Sequence, residues 1–303
     1  MRKGGVYGGR TLSRGHLLIL SALLAFAIVG LTLDSGGHAA RAATQSALRT
    51  TYHAPQSQYR AVGCESSGSS AYFRGPSVKE VAFGFDDGPA PDTSQFLSML
   101  ERNNVRATFF MIGEQITSSY RADLLRELRD GDVLGDHTWT HPELTKLSSG
   151  AVRGELSQTI SVIRKLSGYT PCVFRPPYGA YNSSVVGIAR SLGLATVLWN
   201  VDPTDWALPG TAAIQQRVLA QVRPGSIIIS HDGGGPRGET LAAYPGIIRS
   251  LRSRGYRIVT IPELLGFTPI YQQCLRDCMG IGVARSKLPA DAILQTAAAN
   301  ANR

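Results

Sequence analysis

The sequence predicts an α/β fold whose parallel strands curl towards a barrel, and three observations lead there. Between Glu80 and Leu265, short apolar runs of strand length alternate with helix-length segments. No glycine-rich dinucleotide fingerprint accompanies them. Carboxylates, histidines and an arginine follow the ends of different strands, where a β/α barrel holds its active site. The count of β/α units is one short of the eight-fold barrel. A doubly wound open sheet is the structural alternative.

The first strand covers 81–85, where Val81, Ala82, Phe83 and Phe85 stop abruptly at Asp86 and Asp87. Gly88 and Pro89 then force a turn. Adjacent carboxylates repel, so a strand end carrying two of them needs a cation or a proton nearby. If one binds a metal, its neighbour can stay ionised and serve as a base. Further strands are expected over 107–112, 133–136, 172–174, 195–200, 226–230 and 256–260. Helices are expected over 93–102, 121–129, 149–166, 183–192, 212–222 and 241–254, with 262–265 closing the unit.

The 303 residues are 43% hydrophobic and 17% charged, enough to bury a large core. Residues 1–43 are read differently. Arg2, Lys3, Arg10 and Arg14 precede the apolar run 17–33, and Ala39-Ala40-Arg41-Ala42-Ala43 follows. That order is a basic region, an apolar region and an Ala-x-Ala cleavage site, so the protein is expected to be exported. Retention of 17–33 as a membrane anchor is the alternative. Residues 44–78 are polar and aperiodic and read as a linker or wrapping segment, 79–266 as the catalytic domain, and 267–303 as a tail. The formal charge of +9 falls to +5 without residues 1–42, and a basic exported protein is expected to associate with anionic wall polymers or acidic glycans. No Lys/Arg block with interleaved aromatics is present, which argues against nucleic acid as a partner. A monomer is expected. Cys64, Cys172, Cys274 and Cys278 form an even set that favours disulfides in an exported chain; the pairing stays open.

Of six histidines, His16, His38 and His53 fall outside the predicted fold, and His137, His141 and His231 each follow a strand. His137 and His141 are four apart, so one helical turn would place both imidazoles on one side. With Asp87 as a third, oxygen ligand they would form a metal site with a position open for water. The metallopeptidase pattern needs Glu after the first histidine, and Thr138 stands there. Ser230-His231-Asp232 is not a serine relay, because neighbours on a strand point to opposite faces.

Asp86-Asp87-Gly88-Pro89, His137-Thr-Trp-Thr-His141, Arg175-Pro-Pro-Tyr178, Asp202-x-x-Asp205-Trp206 and Ile229-Ser230-His231 occur in that order. Together they resemble the five motifs of the polysaccharide deacetylases, the NodB-homology group or carbohydrate esterase family four. The resemblance implies a distorted (β/α)7-type barrel and metal-dependent removal of acetyl groups, usually from N-acetylglucosamine in glycans. It implies a metal held by Asp87, His137 and His141, zinc first, with cobalt or nickel as alternatives. Asp86 matches the general base, with Arg175 as its ion-pairing partner, and the backbone N–H of Tyr178 matches an oxyanion donor. His231 matches the acid that protonates the departing amine, oriented by Asp205, while Trp206 and Ile229 wall the pocket. Two positions depart from the pattern: Gly84 replaces the usual Thr or Ser and would loosen packing behind the aspartates, and Ile229 replaces Leu. Two rivals are an O-acetyl esterase acting on acetylxylan or another acetylated glycan, and a non-catalytic barrel that only binds cell-wall glycan. Against the latter, base, ligands and acid are all retained.

Overall fold

The computed structural model describes residues 59–66 and 70–273. The predicted signal or anchor, the first part of the 44–78 segment, His16, His38, His53, Cys274, Cys278 and the end of the tail lie outside them. Among the described residues no helix is long and apolar enough to cross a membrane.

Strand β2 (Glu80–Gly88) pairs with three other strands of the sheet. Val81, Ala82, Phe83 and Phe85 are fully buried, as suits a parallel strand covered on both faces. Alternation along β2 sorts its side chains into two layers. Phe83 and Phe85 face the helices, with ring centroids 4.9 and 4.8 Å from Tyr244, and Phe85 lies 5.1 Å from Phe96. Ala82 belongs to the inner cluster with Phe110, Val173, Val197 and Ile227. Gly84 and Asp86 follow at the same two-residue interval, so the site sits on the inner face.

The other parallel strands are β3 (Thr108–Met111), β4 (Val133–Asp136), β5 (Val173–Phe174), β6 (Ala195–Thr196), β7 (Ser226–His231) and β8 (Arg257–Val259). Their order is β6-β5-β4-β3-β2-β7, with β8 paired to the first residues of β2. The helices are α1 (Thr93–Arg102), α2 (Arg121–Asp130), α3 (Ser149–Ser167), α4 (Ser183–Ser191), α5 (Thr211–Gln221), α6 (Gly238–Ser253) and α7 (Ile261–Leu265). After β6 the chain crosses to the free edge of β7. Val201 bridges Ile228 there, and the Ile229 N–H donates to the Val201 carbonyl at 3.0 Å. The sheet is therefore curled into the distorted barrel, not spread as an open doubly wound sheet. The strand expected over 195–200 is regular only at Ala195–Thr196. Leu198 instead donates to the Tyr72 carbonyl at 2.7 Å, and the chain then turns towards β7.

Two stretches read as linker and tail contain a ribbon. Strand β1 (Tyr59–Glu65) pairs antiparallel with β9 (Thr268–Gln273). Neither strand has the apolar period that marks a core element, and the partners lie far apart in sequence, so local patterning gives no signal. Of the four cysteines, Cys64 and Cys172 form a disulfide with Cα atoms 5.4 Å apart, tying β1 to the start of β5. It closes a separation of 108 residues, and loops near that size are stabilised by about 4.7 kcal/mol on the chain-entropy account.

Glu127 on α2 is fully buried, and neither carboxylate oxygen has a hydrogen-bond partner. Burial, reinforced by the charge of Asp132, pushes its pKa well above 4.5. Above the unfolded value, the folded chain therefore keeps a proton that the unfolded chain has released, so this residue's contribution to stability falls as pH rises. Glu127→Gln should gain on the wild type progressively between pH 5 and 8 in paired denaturant melts. A constant difference across that range would contradict the account.

Candidate active site

The strand ends deliver their polar residues to one cavity of about 590 Å³, bounded by Asp86, Asp87, His137, His141, Trp206 and His231 among others. Such volumes suit a sugar-sized group. Asp87 Oδ1 lies 3.4 Å from His137 Nε2 and 3.3 Å from His141 Nε2. It is buried and accepts no hydrogen bond, an arrangement that costs free energy unless a cation fills the gap. The three donor atoms lie within 4.8 Å of one another. His137 Nδ1–H donates to the Arg175 carbonyl at 2.7 Å, which leaves Nε2 with its lone pair towards Asp87. His141 Nδ1 is 3.2 Å from the Tyr178 hydroxyl, leaving its Nε2 to face the same point. Two imidazoles and one carboxylate with an orphaned oxygen fit a divalent metal. Burial works to raise the Asp87 pKa, but His137, with His231 and His141, outweighs it and holds the carboxyl at about 2.

The helical turn expected across His137–His141 is not what brings the imidazoles together. Thr138 and His141 adopt left-handed φ values of 70° and 59°, and the segment is a loop. It is held by side-chain acceptors instead. Asp136 Oδ1 accepts from Thr138 N–H at 2.8 Å, and Thr138 Oγ1 accepts from His141 N–H at 3.0 Å. Glu155, on α3, accepts from the N–H groups of Trp139 and Thr140, both at 2.8 Å, and from the Thr140 hydroxyl at 2.9 Å. Sequence reasoning missed Glu155, because a helix residue well downstream carries no local sign of the loop it clamps. Glu155→Ala should weaken zinc binding by about 10–100-fold, the usual scale for a lost outer-shell partner. Isothermal titration with zinc would check this, and unchanged affinity would contradict it.

Asp86 and Arg175 are both buried and meet through Nη1 and Oδ1 at 2.7 Å. The other oxygen, Oδ2, points towards the imidazoles, 3.9 Å from His137 Nε2. Gly84 does not loosen the packing behind them, because the Arg175 guanidinium occupies that space. Across the cavity, His231 Nδ1 is 2.8 Å from Asp205 Oδ1, and the His231 N–H donates to Asp205 Oδ2 at 2.9 Å. Thr240, also missed in the sequence, donates its hydroxyl to the same Oδ2 at 3.0 Å. Burial disfavours the imidazolium, but Asp205, assisted by Asp86 and Asp87, raises the His231 pKa overall. Asp232 turns away from any relay: it accepts from the Thr93 hydroxyl, and burial pushes its carboxyl to about 7. Trp206 and Tyr178 stand exposed at the mouth, while Ile229 is buried in the wall.

The sequence model of the family described as polysaccharide deacetylase matches residues 74–197. A chitooligosaccharide deacetylase of Rhizobium leguminosarum is 35% identical over 202 residues, covering 62% of this chain and 93% of the relative. The chain belongs to the polysaccharide deacetylase family. The peptidoglycan-N-acetylglucosamine deacetylase PgdA of Listeria monocytogenes is 38% identical over 189 residues, and the match spans only 39% of that longer protein. Among solved structures, the Bc1960 peptidoglycan N-acetylglucosamine deacetylase superposes with a TM-score of 0.62 at 34% identity, covering 65% of this chain and 92% of that one. In this family member the matched segment 74–197 carries Asp86, Asp87, His137, His141, Arg175 and Tyr178. Asp205, Trp206, Ile229 and His231 lie beyond it, so the second wall of the cavity rests on its own geometry, the His231–Asp205 contact foremost.

Proposed function

We propose that this chain is a metal-dependent hydrolase that removes acetyl groups from N-acetylglucosamine-containing polysaccharide, of the peptidoglycan or chitin-like type. The observation that carries this reading is the division of the aspartate pair: Asp86 is tied to Arg175 while Asp87 faces two imidazoles. Asp87, His137 and His141 would hold the metal, zinc by its donor set. When bound, such an ion supplies Lewis acidity to the acetamide carbonyl and makes water a better nucleophile.

The chain's own residues account for the proton movements. Asp86 takes a proton from the attacking water, with Arg175 fixing its Oδ1 so that Oδ2 faces the cavity. The water oxygen adds to the acetyl carbon, and the Tyr178 N–H donates to the oxygen that gains charge. His231, held as a cation by Asp205, gives its proton to the amine nitrogen as the carbon–nitrogen bond breaks. Acetate and the free amine leave. Trp206 and Ile229 wall the acetyl group and its sugar from water. Cys64–Cys172, a bond favoured in oxidising compartments, agrees with export, which the basic start, the 17–33 run and the Ala-x-Ala site also favour. The working place would be the cell wall, whose anionic polymers complement the positive charge, with the protein acting as a monomer.

The test is acetate release from peptidoglycan, chitin oligomers and acetylxylan in parallel, with and without added zinc. Release from the two amide substrates supports the reading. Release from acetylxylan alone would make the protein an O-acetyl esterase, and glycan binding without any release would make it a non-catalytic barrel.

A further inference from the structure

We propose that Arg237 forms a carboxylate subsite in the cavity, so that the glycan acted on carries an anionic group near the acetamide. Peptidoglycan offers such a group on its lactyl ethers, and chitin does not. The proposal rests on the deacetylase reading and chooses between the two glycans that reading leaves open. Arg237 lies on the loop between His231 and α6, and it lines the cavity while only 3% exposed. A buried guanidinium normally has a carboxylate beside it, as Arg175 has Asp86. Among the described residues the Arg237 side chain makes no ion pair. Its Nε donates to the Gly233 carbonyl at 2.6 Å and its Nη2 to the Gly234 carbonyl at 3.0 Å. These neutral acceptors fix the fork and leave its charge uncompensated. Nη1 donates to no group of the described residues, yet it is not sealed from solvent. Its partner therefore has to come through the cavity.

A side chain on Gly234 would begin 2.5 Å from Asp87 Oδ2 and 3.3 Å from Arg237 Nη2, which sets the guanidinium beside the proposed metal site. Asp87 and Asp86 face the two imidazoles and Arg175. A further buried cation next to a divalent ion costs free energy unless an anion joins it. A carboxylate meets that need, because the planar fork matches its two oxygens. A neutral glycan does not. Residues 233–235 are all glycine, so no side chain of that stretch covers the guanidinium.

The experiment uses two forms of a peptide-free peptidoglycan strand, one with free lactyl carboxylates and one with those carboxyls converted to amides, beside a chitin oligomer. Affinity is measured by titration calorimetry on the zinc-loaded and the zinc-free protein, and kcat/KM on the zinc-loaded one. The wild type should prefer the carboxylate strand to its amide by at least about 10-fold, the scale of a hydrogen bond to a charged group. It should keep that preference without zinc. Arg237→Gln should bring the two strands level. Arg237→Lys, which keeps the charge and loses the fork, should fall between them, and it carries the test if Arg237→Gln is insoluble. A guanidinium that only braces its loop would, on substitution, weaken all three glycans alike and leave the preference intact, which overturns the proposal. A wild type that treats both strands equally overturns it as well. A preference that vanishes on chelation does the same, because the ion would then be reading the carboxylate. Free acetate that competes through Arg237 equally against both strands would make this a product site, against the proposal. Acetate release without any preference ends the subsite and leaves the deacetylase reading standing. A preference in affinity with no release from any glycan does the reverse.

Discussion

Asp86→Asn should keep its zinc and lose its rate, while the neighbouring Asp87→Asn should lose its zinc first. The two carboxylates are adjacent in sequence, yet the backbone separates their tasks. Asp87 takes a left-handed φ of 69°, which turns it towards His137 and His141, while Asp86 continues the inner face of β2 towards Arg175. An asparagine at 86 keeps the shape and cannot accept a proton. The expected fall in kcat is about two to four orders of magnitude, the usual range for a lost general base. Metal content should stay near that of the wild type. An asparagine at 87 retains an oxygen but not its charge, so zinc affinity drops and part of the activity returns at high zinc. Metal analysis of both variants beside rates at saturating zinc decides the matter. A depleted Asp86→Asn next to a replete Asp87→Asn would reverse the assignment.

Chelation should abolish activity, and added zinc should restore it in the wild type but not in His137→Ala. The variant removes one of three donors and also the imidazole that bonds the Arg175 carbonyl. The fold should survive, because the largest apolar cluster includes none of the three proposed ligands. A second readout is independent of catalysis. A ligand bound only by the folded chain, at a hundred times its Kd, stabilises it by about 2.7 kcal/mol. Zinc should therefore raise the wild-type melting temperature and leave that of His137→Ala nearly unchanged. Full deacetylase activity after chelation, with no metal added back, would sink the site.

Strands and helices were legible where the pattern was dense. Residues 81–85 are apolar at nearly every position because β2 is covered on both faces, and that run marks the strand with the most partners in the sheet. Asp86, Arg175 and His231 sit at the ends of β2, β5 and β7, where strand ends placed them, whereas Asp205 lies on the crossing beyond the shortened β6. What failed was local geometry between elements. A spacing of four suggested a helical turn for His137 and His141, but Thr138 takes the His141 N–H that such a turn would send to the His137 carbonyl, and Glu155 holds the N–H groups of Trp139 and Thr140. Thr240 and Glu155 act across space from other helices, and no window of sequence contains both them and their partners. The β1–β9 ribbon is the extreme case, since each strand carries no signal until the other is beside it.

That ribbon has a consequence for how the unit can be used. Tyr59 stands opposite Gln273, and paired antiparallel strands lie about 5 Å apart. The polypeptide therefore arrives and departs through a single seam, with the Cys64–Cys172 bridge fastening one side of it to the barrel. A unit closed in this way can be spliced between other modules without prising the sheet apart, since its two ends already meet. Lengthening the chain on either side leaves the strand ends, and the chemistry they hold, where they are.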